Sequence, residues 1–421
     1  MIKRKLLKEL RDHLSKKEIS LIIGPRQSGK TTLMFFLKNY LEKKGKKTLF
    51  LNLDIESDRQ FFASQTTLID KIQLELGYQG GFVFLDEIQR KENAGLFLKG
   101  IYDMGLPYKL IVSGSGSIEL KEKIHESLIG RKRIFELKTL SFEEFINHKT
   151  NYQYENKFEE FLTIDKIQAQ RLLEQYLKFG GYPKVVLAET LLEKERTIDE
   201  IYRSYLERDI ALLGVVKTEA FSNLIKIIAS QSGSLTNFSE LSSTLGISVQ
   251  TVKNYLWYAE KTFIIKKVAP YFKNIRKEIT KSPTYYFTDL CLRNFALNLF
   301  GQEITNRQDA GLLFQNFVFL NLWENLKLGN AQIRFWRTKE GAEVDFVVDF
   351  VKEQIPIEVK FGKLKKTKIS RSFRSFLNKY QPQKALIINL ELKAEERVGR
   401  TKIFFIPYYL IKSYLKNNLG F

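Results

Sequence analysis

Eight residues near the start of the chain have the types and spacing that can hold a polyphosphate. Gly24-Pro25-Arg26-Gln27-Ser28-Gly29-Lys30-Thr31 matches G-x-x-x-x-G-K-[ST] in full, with Thr32 following. The main-chain N–H groups of such a loop, and the start of the helix it opens, favour the negative charge of phosphate oxygens. In this reading Gly29 lets the backbone approach closely, Lys30 reaches the β- and γ-phosphates, and Thr31 offers its hydroxyl to Mg2+. The expected ligand is ATP with Mg2+.

A second segment supplies acids. Gly81-Phe82-Val83-Phe84-Leu85-Asp86-Glu87 is an apolar run ending in two carboxylates, as a buried strand delivering them at its carboxyl end would be. Asp86 is expected to hold the magnesium, and Glu87 to orient and deprotonate the attacking water. That pair predicts hydrolysis beyond binding, because phosphoryl transfer is mostly positioning and charge stabilisation. Ser113 and Ser115 are candidates to sense the γ-phosphate. Arg131 is a candidate to neutralise transition-state charge, in its own chain or from a neighbour, with a solvated basic turn as its competing reading.

These residues must be positioned by strands and helices in alternation. Ile19–Ile23, Thr48–Leu53, Gly81–Leu85 and Leu110–Val112 read as strands, and Thr31–Lys43 as a helix. The pattern predicts an α/β unit with a parallel sheet, closing near residue 140. Residues 141–215 read as helical, with Ser141 and Glu144 spaced as a capping box. Leu312–Leu326 reads as a helix, and Val344–Phe350 and Ile355–Val359 as strands.

Two further constellations lie in the second half. Leu241 to Leu256 has the shape of a helix-turn-helix. Leu241, Leu245, Val252 and Leu256 face inward, Gly246 makes the turn and Ser248 caps the second helix. Gln250, Thr251, Lys253 and Asn254 are left outward, and these types reach bases and phosphates. The basic stretch 261–281 is expected to follow as a wing. In Glu343–Asp349, Val344, Phe346 and Val348 alternate with acids, and Ile357-Glu358-Val359-Lys360 repeats the alternation. With a turn at 351–354, Asp345 falls opposite Lys360 and one register step from Glu358. Glu343, Asp345, Glu358 and Lys360 then form a candidate site for metal-assisted phosphodiester cleavage. The competing reading is two polar strand faces meeting solvent.

Composition bounds the partners. The 421 residues exceed one ordinary core. A single cysteine, Cys291, excludes an intrachain disulfide, and a reducing, cytoplasmic setting is expected. The first ten residues lack the apolar stretch of a signal peptide, and no run is long enough for a membrane helix. The formal net charge is +20, which favours polyanionic partners. The excess sits late: residues 361–421 carry 14 Lys/Arg against 3 Glu, and residues 261–281 carry 7 against 1.

Together the motifs resemble the AAA-type P-loop ATPases of bacteria and archaea that carry a carboxy-terminal domain of uncharacterised function. The resemblance runs from Gly24–Leu33 and Phe84–Gln89 through Ser113–Ser117, Gly130-Arg131, Leu140–Phe145, Gly180–Pro183 and Tyr205–Ile210. It continues through Tyr271–Asn274, Lys281–Asp289, Glu343–Asp345 and Ile357–Lys360. It implies an AAA+ core over 1–140, a helical region over 141–215, a winged helix over 216–300 and a domain similar to the PD-(D/E)XK nuclease fold over 301–421. The family usually offers a glutamate near Asn316, where this chain has Gln315, a poorer magnesium ligand. Three functions remain open: an ATPase whose nucleotide state controls a nucleic-acid-binding second half, with DNA favoured; a nucleotide-gated nuclease; and a regulatory ATPase, as a homo-oligomer or with a partner protein, whose winged helix binds protein.

Overall fold

The computed structural model describes residues 2–115, 127–205, 217–272, 274, 278, 281–326, 331–350 and 353–419. The first sheet contains β1 (Ile19–Gly24), β2 (Thr48–Asn52), β3 (Gly81–Asp86), β4 (Tyr108–Ser115) and β5 (Lys132–Glu136). Every pairing is parallel and the order is β2-β3-β4-β1-β5. β1 is buried at all six positions, as its near-continuous apolar sequence requires. The sheet is therefore covered on both faces, and its functional ends are the carboxyl ends of β1, β3 and β4. β5 is the strand the sequence pattern did not show. It is an edge strand with one buried residue, Phe135, among charged ones, so it carries no apolar run.

The second sheet has eight strands in the order β12-β13-β11-β10-β9-β8-β6-β7. These are β6 (Ile265–Pro270), β7 (Thr284–Phe287), β8 (Ala331–Arg337), β9 (Glu343–Phe350), β10 (Glu353–Val359), β11 (Lys384–Asn389), β12 (Ala394–Val398) and β13 (Thr401–Pro407). The helix Ala310–Asn325 packs on one face and Arg371–Tyr380 on the other. The first of these is buried nearly all round, through Leu313, Phe314, Phe317, Val318, Phe319 and Leu322, as a helix without a polar face must be.

Two details differ from the sequence expectation. The stretch expected as a wing also joins this sheet. β6 pairs antiparallel with β7, and its end pairs parallel with β8 at Ala269↔Arg334 and Pro270↔Phe335. The alternation of β9 is also broken. Arg334 pairs with Val347, but Trp336 pairs with Val344, so β9 has one extra residue there. This bulge turns Val344 towards Trp336, Phe373 and Phe376, while Phe346 and Val348 face the helix Ala310–Asn325.

The two sheets meet through the helices Phe142–Lys149 and Lys166–Phe179. The Ser141–Glu144 capping box forms as expected. After the second helix the chain turns through Gly180-Gly181, where Leu140 N–H donates to Gly181 O at 2.8 Å. A Cβ on Gly181 would stand 2.3 Å from Leu140 O, closer than any side chain tolerates. Gly181→Ala is therefore expected to destabilise the chain by about 1–3 kcal/mol, seen as a lower midpoint in thermal unfolding. An unchanged midpoint would contradict this packing.

Candidate functional site

The phosphate loop begins where β1 ends. Gly24 is fixed by crowding, since a Cβ there would lie 2.1 Å from Leu137 O. Gly29 has open space around it but a φ of 92°, a conformation only glycine adopts freely. The helix Lys30–Glu42 opens at once after it. The Lys30 side chain is 6% exposed, and its ammonium folds back to donate to Gly24 O at 3.2 Å and Pro25 O at 2.9 Å. Pro25 and Ser28 are buried, Arg26 and Gln27 half-buried, and Thr32 exposed. Ser28 Oγ and Gln27 Oε1 are buried without a hydrogen-bond partner.

The acids stand against this loop. Asp86 ends β3 and is completely buried. Thr31 Oγ1 donates to its Oδ2 at 2.7 Å, and Ser113 Oγ donates to its Oδ1. The strand order explains this meeting, because β4 lies between β1 and β3 and carries Ser113 into the gap. Glu87 follows with a φ of 57°, its N–H directed at Asp86 Oδ1 (3.2 Å) and Ser113 Oγ (3.4 Å). Burial pushes the Glu87 carboxyl above the usual carboxylate range. Lys30 opposes this shift, and the neighbouring Asp86 adds to it. Gln89 Nε2 donates to Glu87 Oε2. Oxygen donors from Thr31 and Asp86 suit magnesium.

Ser115 pairs by its backbone with Gly24; Gly116 and Ser117 lie outside the described residues, as do Leu206–Ile210. Arg131 is not brought to the loop within this chain. Its carbonyl accepts from Ile19 N–H, at the start of β1, and its Nε donates to Asp103 at 2.6 Å. The length of β1, roughly 16 Å at about 3.3 Å per residue, separates it from Gly24. Arg4 was missed by sequence reasoning. It donates to Ser28 O (2.9 Å), Lys138 O (2.7 Å) and Thr139 O (3.2 Å), and its Nε lies 3.3 Å from Glu144. One more cation near a lysine-rich start gave no signal of this.

The second constellation is partly assembled. β9 and β10 pair from Phe350↔Glu353 to Phe346↔Ile357, and one further step sets Asp345 beside Glu358. The expected opposition of Asp345 and Lys360 is corrected by two residues, because the turn is shorter than 351–354. Val359 N–H donates to Asp345 Oδ2 at 2.7 Å, and Lys360 Nζ lies 2.6 Å from Glu358 Oε1. Glu358 Oε2 is buried without a partner. Glu343 is exposed and stands 3.5 Å from Arg337. Gln315 donates to Tyr286 OH at 2.9 Å. Among the described residues no three His, Cys, Asp or Glu side chains group closely enough to hold a metal.

The helix-turn-helix has its expected local geometry. Helices Phe238–Leu245 and Val249–Lys261 flank Gly246 at φ 60°, and Ser248 accepts from Thr251 N–H. Leu241, Val252 and Leu256 are buried; Gln250, Lys253 and Asn254 are exposed and Thr251 is half-buried. Among the described residues no helix is long and apolar enough to cross a membrane.

Residues 16–146 match the family described as AAA domain, residues 170–303 a domain of unknown function (DUF8612), and residues 310–410 a domain of unknown function (DUF4143). An uncharacterized protein of Methanocaldococcus jannaschii is 25% identical over 397 residues, covering 92% of this chain and 84% of that protein. One of Mycobacterium tuberculosis is 27% identical over 382 residues, covering 90% and 78%. The solved Aeropyrum pernix ORC1 protein in complex with DNA is 12% identical, covering 71% of this chain and 92% of that one, with a TM-score of 0.31, too loose a likeness to bear on this chain. The fold is that of an AAA-type P-loop nucleoside triphosphatase. A match to an AAA domain at residues 16–146 thus precedes a match to a domain of unknown function at residues 310–410.

Asp345 gives a pH test of the second cluster. Burial, and then Glu358 beside it, push its carboxyl up to about 7, against the Val359 N–H and Lys360. An unfolded aspartate titrates near 3.9. Between these values the folded chain keeps a proton the unfolded chain has lost, so stability falls as pH rises from about 4 to about 7. Asp345→Asn is expected to unfold at the parent's temperature at pH 4 and several degrees above it at pH 8. Equal midpoints at both pH values would contradict the raised Asp345 carboxyl.

Proposed function

We propose that the chain binds ATP with Mg2+ at Gly24–Thr32 and hydrolyses it, and that the second half binds nucleic acid, DNA before RNA. The observation that carries this reading is the buried Asp86, held between the Thr31 and Ser113 hydroxyls with Glu87 adjoining. The loop N–H groups and the start of the helix Lys30–Glu42 receive the phosphates. Lys30 exchanges its two carbonyl partners for β- and γ-phosphate oxygens. Thr31 and Asp86 hold Mg2+, which neutralises phosphate charge when bound. Glu87 orients the attacking water and takes its proton. Ser113, already bonded to Asp86, and Ser115 are the residues assigned to sense the γ-phosphate. Arg131 acts on a neighbouring chain. The units serving these roles are 1–140, 141–215, 216–300 and 301–421.

A specific observation favours a second reading of the carboxy-terminal unit. Asp345, Glu358 and Lys360 come together at a bulge, with one orphaned carboxylate oxygen, which supports a nuclease-like fold. Gln315 in place of an acid weakens cleavage as the outcome.

Glu87→Gln is expected to keep ATP binding within a few-fold and to lower turnover about 10²- to 10⁴-fold, measured by phosphate release. Turnover equal to the parent's would remove Glu87 from the role of base. DNA retention by the parent is expected to fall steeply between 50 and 200 mM salt, read by fluorescence anisotropy of a labelled strand; salt-independent retention would contradict a phosphate-led contact.

A further inference from the structure

The helix Val249–Lys261 buries Val252, Tyr255, Leu256 and Ala259. At 100° per residue the opposite stripe carries Gln250, Asn254, Trp257 and Lys261. Trp257 is 38% exposed, whereas Trp336 is 2% exposed and Trp323 lies under the Lys138 ammonium. An indole on the crest of a helix whose other outward residues are an amide pair and lysines has no role in the core.

Its surroundings supply the rest of a site. The Lys261 ammonium stands 5.4 Å from the Trp257 ring centroid, and the Tyr258 ring 5.5 Å from it. Tyr258 in turn lines a groove of about 620 Å³ between the two helices, with Ser242, Ser243, Ser248, Thr251 and Lys217. None of Lys217, Lys253 and Lys261 forms an ion pair among the described residues, and the nearby Glu260 is already engaged by Lys266 at 2.9 Å. The patch is thus positive, rich in hydroxyl donors, and edged by an aromatic face.

Hydroxyls and a lysine lining a groove, with further lysines on the adjoining helix, suit a sugar–phosphate backbone, and an exposed indole suits a base whose face is free. In a duplex both faces of each base are covered by its neighbours. We propose that this groove and Trp257 hold an unpaired segment of nucleic acid, with the backbone along Lys217 and the serines and a base stacked on Trp257. The inference rests on the nucleic-acid reading above and narrows it to unpaired strands.

Trp257 provides its own readout. Oligo(dT), oligo(U) and a hairpin duplex are titrated into the full chain at low salt while tryptophan emission is followed. Either single strand is expected to quench emission and to bind more tightly than the duplex. Trp257→Phe should lose most of the quench, and Trp257→Ala and Lys217→Glu should each weaken single-strand binding about 5- to 100-fold, the range of one base stack. The proposal is overturned if the duplex binds as tightly as the single strands, or if Trp257→Ala binds them like the parent; the broader nucleic-acid reading survives either result. If no strand binds at low salt, both fall together.

Discussion

A carboxylate with no access to water, Asp86, is the constraint on which the nucleotide site depends. An isolated buried charge costs several kcal/mol, and it is tolerated only where hydrogen bonds replace water. Here one oxygen takes the Thr31 hydroxyl from the phosphate-loop helix, and the other takes the Ser113 hydroxyl from β4. Three separate elements are thereby locked to one side chain. The strand order is what permits it, since β4 must intervene between β1 and β3 for Ser113 to arrive. The same burial that holds Asp86 raises the pKa of Glu87 beside it. One packing arrangement therefore holds the Asp86 carboxylate between two hydroxyls and raises the pKa of its neighbour Glu87.

From this site, direct contacts lead into the rest of the molecule. Arg4 joins the Ser28 carbonyl of the phosphate loop to the carbonyls of Lys138 and Thr139 and to Glu144. Lys138 rests 3.5 Å from the centre of the Trp323 ring, on the helix that backs the second sheet. Lys5 and Lys412 share Glu143, and the buried Asp289 accepts from Gly181 N–H and Cys291 N–H at the start of a helix beside the helix-turn-helix. The Arg4 and Asp289 bonds are charge-assisted and largely desolvated, and are stronger and more directional than surface pairs. They give the phosphate loop a continuous set of neighbours reaching the second sheet.

What the sequence made legible follows from which interactions are local. The loop, its helix and the strand ending in Asp86-Glu87 are encoded by contiguous residues with strict backbone demands, so pattern alone located them. The Ser141 and Ser248 caps are equally local, each a hydroxyl three residues before the N–H it accepts from. What local pattern could not place are residues whose surroundings are set by distant partners. Arg131 reads like a catalytic cation, but parallel pairing of β5 with β1 places it at the amino-terminal edge of the sheet. Asp345 reads as one of an alternating series, yet the extra residue in β9 re-aims that strand. Arg4 has no local signature because its three carbonyl partners lie 24 to 135 residues away. β5 and β8 escaped because charged and half-buried positions interrupt their apolar pattern.

The central claim is that the loop at Gly24–Thr32 grips a magnesium-bound triphosphate through its amides and Lys30. Isothermal titration of ATP into the purified chain, with magnesium and then with chelator, tests it most directly. The account predicts one site per chain, weakened when magnesium is removed and abolished by Lys30→Ala while the variant stays folded. Binding that persists unchanged in Lys30→Ala, or no heat of binding to the parent under any of these conditions, would contradict it.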